Sequence, residues 1–245
     1  MISQRLSFFA ALIFSTMSLT ISCGSAPEVS NVNKAPVPTV KPTPTELEIS
    51  GEYKVTGSNE NSGQPYEGTM TITNQEDAYR FFWHTTRPRP AGVGVQIGDA
   101  VAVSYADAAA GKPCGVALYK IAADGSLTGK VAHWGEYKFA SEKAVRVKGD
   151  NFDGEYKLTG TSADGTPYEG TIEVEKNGSG HQFTWHLGKV NLAGFGIWRA
   201  DRAAISFGGP ECGFALYQIQ STRLLEGRWG GQRTVAFGSE TAKRD

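Results

Sequence analysis

The sequence predicts an all-β fold consisting of two tandem antiparallel up-and-down β-barrel-like modules, with about eight short strands in each. Two observations predict it. Polar and apolar residues alternate with a period of two, so that Tyr66, Met70 and Ile72 share one face while Glu67 and Thr69 lie on the other. This alternation is typical of a half-buried strand. The same order of strand-like segments also occurs twice along the 245 residues.

The duplication is visible as paired motifs. The motif at Gly51–Gly57 recurs at Gly154–Gly160, and the motif at Cys114–Ile121 recurs at Cys212–Ile219. Because such matches follow one another in the same order in both halves, they indicate a tandem duplication. The residues that both copies share are mainly glycines, aromatic residues and alternating apolar residues, which are the residues that build a sheet.

We expect the first barrel to span residues 49–149 and the second to span residues 150–245. Short connections favour antiparallel pairing of consecutive strands, and eight strands with one apolar face can close into a barrel. Two β-sandwiches, or one larger sheet shared by both copies, remain alternatives. Glycines inside strands, such as Gly68, Gly94 and Gly129, favour the strong curvature of a barrel.

The first 22 residues are predicted to be a signal peptide. Arg5 precedes the apolar run Leu6–Ile21, which is shorter than the roughly 20 residues that a spanning helix needs. The segment Leu19–Gly24 resembles a bacterial lipoprotein box in the relaxed form of spirochaetal lipoproteins, with the leucine one position further from the cysteine. The resemblance implies that Cys23 is lipidated and anchors the protein to a membrane. Because no aspartate follows Cys23, it also implies the outer membrane.

Residues 23–48 are expected to form the lipidated cysteine and a proline-rich tether. The prolines of this segment are Pro27, Pro36, Pro38, Pro42 and Pro44. An extended polyproline-like segment rises about 3.1 Å per residue, so this tether would reach roughly 75 Å from the membrane.

Composition and motifs argue against several classes of function. A formal net charge of -1 and a pI near 6.4 argue against nucleic-acid binding, which usually needs a basic surface. No phosphate loop, dinucleotide fingerprint, nucleophile elbow or zinc-ligand spacing occurs. We therefore expect a non-enzymatic protein with no catalytic residues, no metal and no cofactor.

Cys114 and Cys212 occupy equivalent positions and are the only cysteines after Cys23. In an oxidising compartment, these two cysteines could form a disulfide between the two copies. It requires both residues to lie near a pseudo-twofold axis, with Cα atoms less than about 7 Å apart. Buried free thiols are the alternative.

Several other paired residues are expected to be structural. His84 and His186 are expected to face solvent or a seam between the barrels, since no second ligand lies at metal-binding spacing. The glutamate pairs are expected on solvated strand faces or in turns; they are Glu67 with Glu169, and Glu142 with Glu240. Trp83 and Trp185 are expected in equivalent cores. The other paired aromatic residues are predicted to fill the core, with a lined ligand cavity as the alternative.

The loop Arg87-Pro88-Arg89-Pro90 is the best candidate for a partner-binding surface. The corresponding loop of the second copy has a different sequence, and binding residues concentrate on loops held by a rigid scaffold. Arg87 and Arg89 offer two guanidinium groups, and the prolines limit the entropy lost on docking. A solvated hairpin tip is the alternative.

The repeat pattern G-x-Y-x-x-x-G, Y-x-G, G-x-G, C-G-x-x-x-Y-x-I and L-x-G resembles that of small secreted bacterial all-β proteins, some of them labelled fibronectin-binding. With the lipoprotein box, the whole chain resembles leptospiral surface lipoproteins. The resemblance implies an adhesin-like protein of the outer cell surface, with host matrix proteins such as fibronectin or laminin, or plasminogen, as partners. The C-terminal Lys243-Arg244-Asp245 departs from the C-terminal lysine common in plasminogen receptors. A carrier of small hydrophobic ligands, with a cavity inside the barrel, is the alternative function.

Overall fold

A computed structural model describes residues 46–85, 89–107 and 114–245. The described residues form strands and turns, as the alternating pattern predicts. The strands are β1 (Gly51–Ser58), β2 (Pro65–Gln75), β3 (Ala78–His84), β4 (Pro90–Ile97), β5 (Ala100–Asp107), β6 (Gly115–Ile121), β7 (Leu127–His133), β8 (Ala140–Lys148), β9 (Gly154–Thr161), β10 (Pro167–Asn177), β11 (Gly180–Leu187), β12 (Val190–Arg199), β13 (Arg202–Phe207), β14 (Gly213–Ser221), β15 (Leu224–Gly230) and β16 (Gly238–Lys243).

These strands close into two antiparallel barrels of eight strands each. Barrel 1 has the strand order β1-β16-β15-β14-β5-β4-β3-β2, and barrel 2 has the order β10-β11-β12-β13-β6-β7-β8-β9. The predicted fold class is thereby confirmed, and closure leaves neither sheet with an unpaired edge.

The barrels combine strands differently from the expected ranges 49–149 and 150–245. Barrel 1 contains the first five strands of the first repeat and the last three strands of the second, and barrel 2 contains the complementary set. If each repeat closed on itself, β5 would pair with β6. Instead β5 pairs with β14, where Tyr105 lies opposite Gly213, and β13 pairs with β6, where Phe207 lies opposite Gly115. The two repeats have therefore exchanged their last three strands.

The similarity of the repeats at their strand motifs explains why this exchange is not visible in the sequence. β6 and β14 both present Ala-Leu-Tyr to the strand beside them, because Ala117–Tyr119 corresponds to Ala215–Tyr217. The self-closed and exchanged arrangements thus bury the same types of side chain. The alternating pattern determines which face of a strand points inward. It contains no information on which repeat supplies the neighbouring strand.

One end of each barrel is closed by its own side chains. In barrel 1 the fully buried Tyr53 donates a hydrogen bond from its hydroxyl to the Ile49 carbonyl, at 2.8 Å. In barrel 2 the equivalent Tyr156 donates to the Phe152 carbonyl, at 2.7 Å. Ile49 and Phe152 are themselves buried at 0% and 1% exposure, so each closes the barrel as an apolar plug.

The outer faces of the two barrels meet along β4–β7 and β12–β14 in a third apolar core. It includes Val95, Leu118, Ile197 and Phe214. The equivalent buried residues Ser104 and Ser206 also join the two barrels, with their Oγ atoms 2.5 Å apart. Apolar burial between equivalent strands holds the barrels together as one unit with approximate twofold symmetry.

Candidate functional site

A glutamate lies inside each barrel, at the same position of the repeat. Glu240 comes from β16 in barrel 1 and Glu142 comes from β8 in barrel 2, and they are 4% and 5% exposed. The expectation that this pair lies on a solvated face or in a turn is wrong. Burying a carboxylate is costly unless hydrogen bonds compensate for the lost water. The hydrogen-bond donors around each glutamate therefore have to account for its burial.

Three neutral donors hold Glu240. Its Oε1 atom accepts hydrogen bonds from the Tyr217 hydroxyl at 2.6 Å and from the Trp83 indole N–H at 3.1 Å. Its Oε2 atom accepts a hydrogen bond from the Tyr66 hydroxyl at 2.7 Å. Burial, together with the nearby Glu240 carboxylate, raises the pKa of Tyr217 well above its ordinary value. The phenol therefore stays protonated and acts as a donor.

The equivalent cluster in barrel 2 uses the same residue types with one difference. The Tyr119 hydroxyl donates to Glu142 Oε2, and the Tyr168 hydroxyl donates to Glu142 Oε1 at 2.6 Å. The Trp185 indole N–H donates to the Tyr119 oxygen at 3.1 Å. Burial raises the pKa of the Glu142 carboxyl, while the hydrogen bonds from Tyr119 and Tyr168 oppose that shift.

The strand exchange assembles each cluster from both repeats. In barrel 1, Tyr66 and Trp83 come from the first repeat, while Tyr217 and Glu240 come from the second. Two glycines seat the central tyrosines. A Cβ atom on Gly227 would lie 2.4 Å from the Tyr217 ring, and the equivalent clash arises for Gly129 and the Tyr119 ring. These glycines let the rings lie flat against the neighbouring strand.

Above the glutamate, the end of each barrel opposite its plug opens into a cavity. We call the cavity of barrel 1 the first cup, with a volume of about 370 Å³, and that of barrel 2 the second cup, with about 380 Å³. The first cup is lined by Asn59, Glu60, Tyr66, Trp83, Thr85, Pro90, Tyr105, Ala215, Tyr217, Trp229 and Glu240. The second cup is lined by Val131, His133, Glu136, Ala140, Glu142, Ser162, Ala163, Asp164, Tyr168, Trp185, Leu187, Leu192 and Phe207.

The floors of the two cups are built from equivalent residues, whereas their walls differ. The first cup has Tyr105 and Trp229 where the second cup has Phe207 and Val131. At the rim, Thr85 and Pro90 of the first cup correspond to Leu187 and Leu192 of the second, which makes the second cup more aliphatic. Cavities of this size fall within the range that small-molecule sites occupy.

The other predicted site residues fall in several places. Cys114 and Cys212 form a disulfide, with Cα atoms 5.8 Å apart, directly before β6 and β14. Arg89 is exposed and precedes Pro90, which lines the first cup. Arg87 and Cys23 lie outside the described residues.

The remaining paired residues have the expected structural environments. Trp83 and Trp185 are buried at 6% and 3% exposure, in equivalent positions. His84 is exposed, and His186 is half-buried, with its Nδ1 atom 2.9 Å from the Asn191 side-chain oxygen. Glu67, like its counterpart in the second repeat, is exposed on an outer strand face.

The signal that would have revealed the two buried glutamates is their parity along the strand. Glu142 lies two residues before Ala144 and Glu240 lies two residues before Ala242, and both alanines are fully buried. In a strand, residues two apart share a face. The usual preference of glutamate for solvent points the other way and predicts exposure at both positions.

Comparisons with known proteins identify no family for this chain: it matches no family model, no curated protein and no solved structure.

Within the described ranges, no three metal-ligating side chains lie together as a metal-binding group. No helix among the described residues is long and apolar enough to cross a membrane.

Proposed function

We propose that this protein is a non-enzymatic binding protein that takes small organic ligands into its two cups. The observation that supports this most strongly is the buried carboxylate at the floor of each open cup. An apolar residue at Glu240 or Glu142 would close the barrel without the cost of desolvating a charge. Departures of this kind from good core packing are typical of functional sites.

The architecture around the carboxylates also supports binding. One end of each barrel is plugged, the other is open, and the floor is held by hydrogen bonds from rigid strands. A preorganised cavity of this kind binds a ligand without first ordering its own side chains. The raised pKa values of Tyr119 and Tyr217 keep these phenols protonated. That state suits a hydrogen-bonded scaffold better than a general base.

We favour the function of a small-ligand carrier over the adhesin-like function that the resemblance implies. Binding of matrix proteins or plasminogen stays a prediction, with Arg87 and Arg89 as its candidate contacts. The expected anchor at Cys23 fits either function, since a tethered carrier and a tethered adhesin both act near a membrane surface. Detergent phase partitioning of the wild type against Cys23→Ala tests the anchor, and an aqueous partition of both proteins would reject it.

Blocking each cup separately tests the binding proposal. The full chain is titrated with N-phenyl-1-naphthylamine, an uncharged probe that fluoresces in apolar surroundings. Thr85→Trp narrows the mouth of the first cup and Leu187→Trp narrows that of the second. Thr69→Trp adds the same ring to an exposed position of β2 and is the matched control.

We expect saturable binding that each rim variant reduces, that the combined rim variant abolishes, and that the control leaves unchanged. Absence of saturable binding would reject the proposal. Binding that survives in the combined rim variant would place the probe outside the cups and would also reject it. Circular dichroism of each variant verifies that the barrels remain folded.

A further inference from the structure

The first cup carries two carboxylates and no basic side chain among the described residues that line it. Glu240 lies at the floor, and Glu60 lies on the wall, where it accepts a hydrogen bond from the Thr234 hydroxyl. The described partners of both carboxylates are neutral donors. Their negative charge is therefore not cancelled by an ion pair within the cup.

Four aromatic side chains surround this charge. The Tyr66 and Trp229 ring centroids are 6.1 Å apart with their planes at 74°, and those of Tyr105 and Trp229 are 6.4 Å apart at 70°. Trp83 and Tyr105 are 5.7 Å apart with their planes at 59°. Rings at steep mutual angles form the walls of a box rather than a stack. The faces of aromatic rings in such a box attract organic cations.

We propose that the first cup binds an organic cation, most favourably a quaternary ammonium with short apolar substituents. This inference rests on the proposed function and names the ligand class of one of its two sites. A quaternary ammonium fits because it carries charge without needing to donate hydrogen bonds. Tyr66, Trp83 and Tyr217 already donate hydrogen bonds to Glu240. The carboxylate therefore has little capacity left to accept a hydrogen bond from a ligand, but it can still attract a positive charge.

The second cup provides an internal comparison. Ala163 occupies the position of Glu60, Phe207 that of Tyr105 and Val131 that of Trp229. The Phe207 ring meets the Trp185 ring at 56° and the His133 ring at 80°, so part of the aromatic wall is retained. Glu136 and Asp164 line its rim, but both are exposed, and Asp164 already accepts hydrogen bonds from its own turn. His133 also lines this cup. Among the described residues, the second cup therefore lacks the indole wall that Trp229 gives the first cup and the wall carboxylate of Glu60.

Two exposed arginines lie near the first cup along the chain. Arg89 precedes Pro90, and Arg233 lines a neighbouring depression that shares Glu60 and Tyr105 with the cup. Since both side chains face solvent, salt and water screen their repulsion of a cation. The two glutamates act from inside the cavity, where screening is weaker.

A matched pair of probes tests the charge requirement. Choline carries a quaternary nitrogen, and 3,3-dimethyl-1-butanol has the same shape with a carbon in its place. Calorimetric titration of the full chain should show choline binding at least about tenfold more tightly than the alcohol. Equal affinity for the two probes would overturn the inference.

A matched pair of variants tests the role of the wall carboxylate. Glu60→Gln should weaken choline binding roughly five- to tenfold and leave the alcohol unchanged. Glu67→Gln removes the same charge from an exposed outer face and should change neither affinity. An unchanged choline affinity in Glu60→Gln, with N-phenyl-1-naphthylamine binding retained as evidence of an intact fold, would overturn the inference.

The uncharged probe separates failure of this inference from failure of the proposed function. Binding of N-phenyl-1-naphthylamine without preferential binding of choline would reject the cation site and leave the carrier function standing. Binding of neither compound would reject both.

Discussion

The disulfide between Cys114 and Cys212 should contribute several kcal/mol to stability, because it closes a long loop. The two cysteines are 98 residues apart and immediately precede the strands that the repeats exchange. In the chain-entropy model, closing a loop of about that length removes conformational entropy from the unfolded chain worth about 4.7 kcal/mol at 25 °C. Both cysteines are buried, at 2% and 6% exposure. We expect a measured loss of about 3–5 kcal/mol when the bond is removed.

The measurement is urea unfolding of Cys114→Ala, Cys212→Ala and the double variant, each compared with the wild type. Since either single change removes the bond, the two single variants and the double variant should lose similar amounts. Additive losses would mean that the two side chains act independently, and a total loss below about 1 kcal/mol would mean that the bond does not constrain the unfolded chain. Either result would contradict a stabilising role of the disulfide through the unfolded chain.

Three further predictions concern the core, the second cup and the loop. Trp83→Ala and Trp185→Ala should each cost about 3–5 kcal/mol in urea unfolding, and a loss below about 1 kcal/mol at both would contradict their burial in equivalent cores. The pKa of Glu142 is raised above its ordinary 4.5, so the wild type should lose stability relative to Glu142→Gln as pH rises above that value; a pH-independent difference in unfolding free energy would contradict this. Replacing both Arg87 and Arg89 by alanine should weaken binding to an acidic or glycosaminoglycan-bearing partner and flatten its salt dependence, whereas unchanged affinity and slope would exclude the loop as the contact.

The sequence predicted the strands and the two barrels because their signals are local. Alternation around Tyr66 and Met70 depends only on neighbouring residues, and the structure buries Met70 completely. The paired Trp83 and Trp185 are buried for the same reason. The glycine positions were also visible, although at Gly129 the structure shows a tyrosine ring packed against the neighbouring strand where the sequence predicted strong curvature.

The exchange of strands and the two cups depend on contacts between distant segments. β5 pairs with β14, and nothing in Val101 or Val103 distinguishes this partner from β6. The cluster at Glu240 is likewise formed by residues that lie 23 to 174 positions away along the chain. Only closure of the barrel brings these residues together. The usual preference of glutamate for water predicts the opposite environment for Glu142 and Glu240.

A crystal structure of the full chain with its best-binding probe tests the central claim most directly. The claim is that barrels built from both repeats enclose ligand cups above Glu240 and Glu142. We expect β5 to pair with β14 and the probe to lie inside a cup, in contact with Trp83 in the first or Trp185 in the second. A probe bound only on the outer surface, or β5 paired with β6, would contradict it.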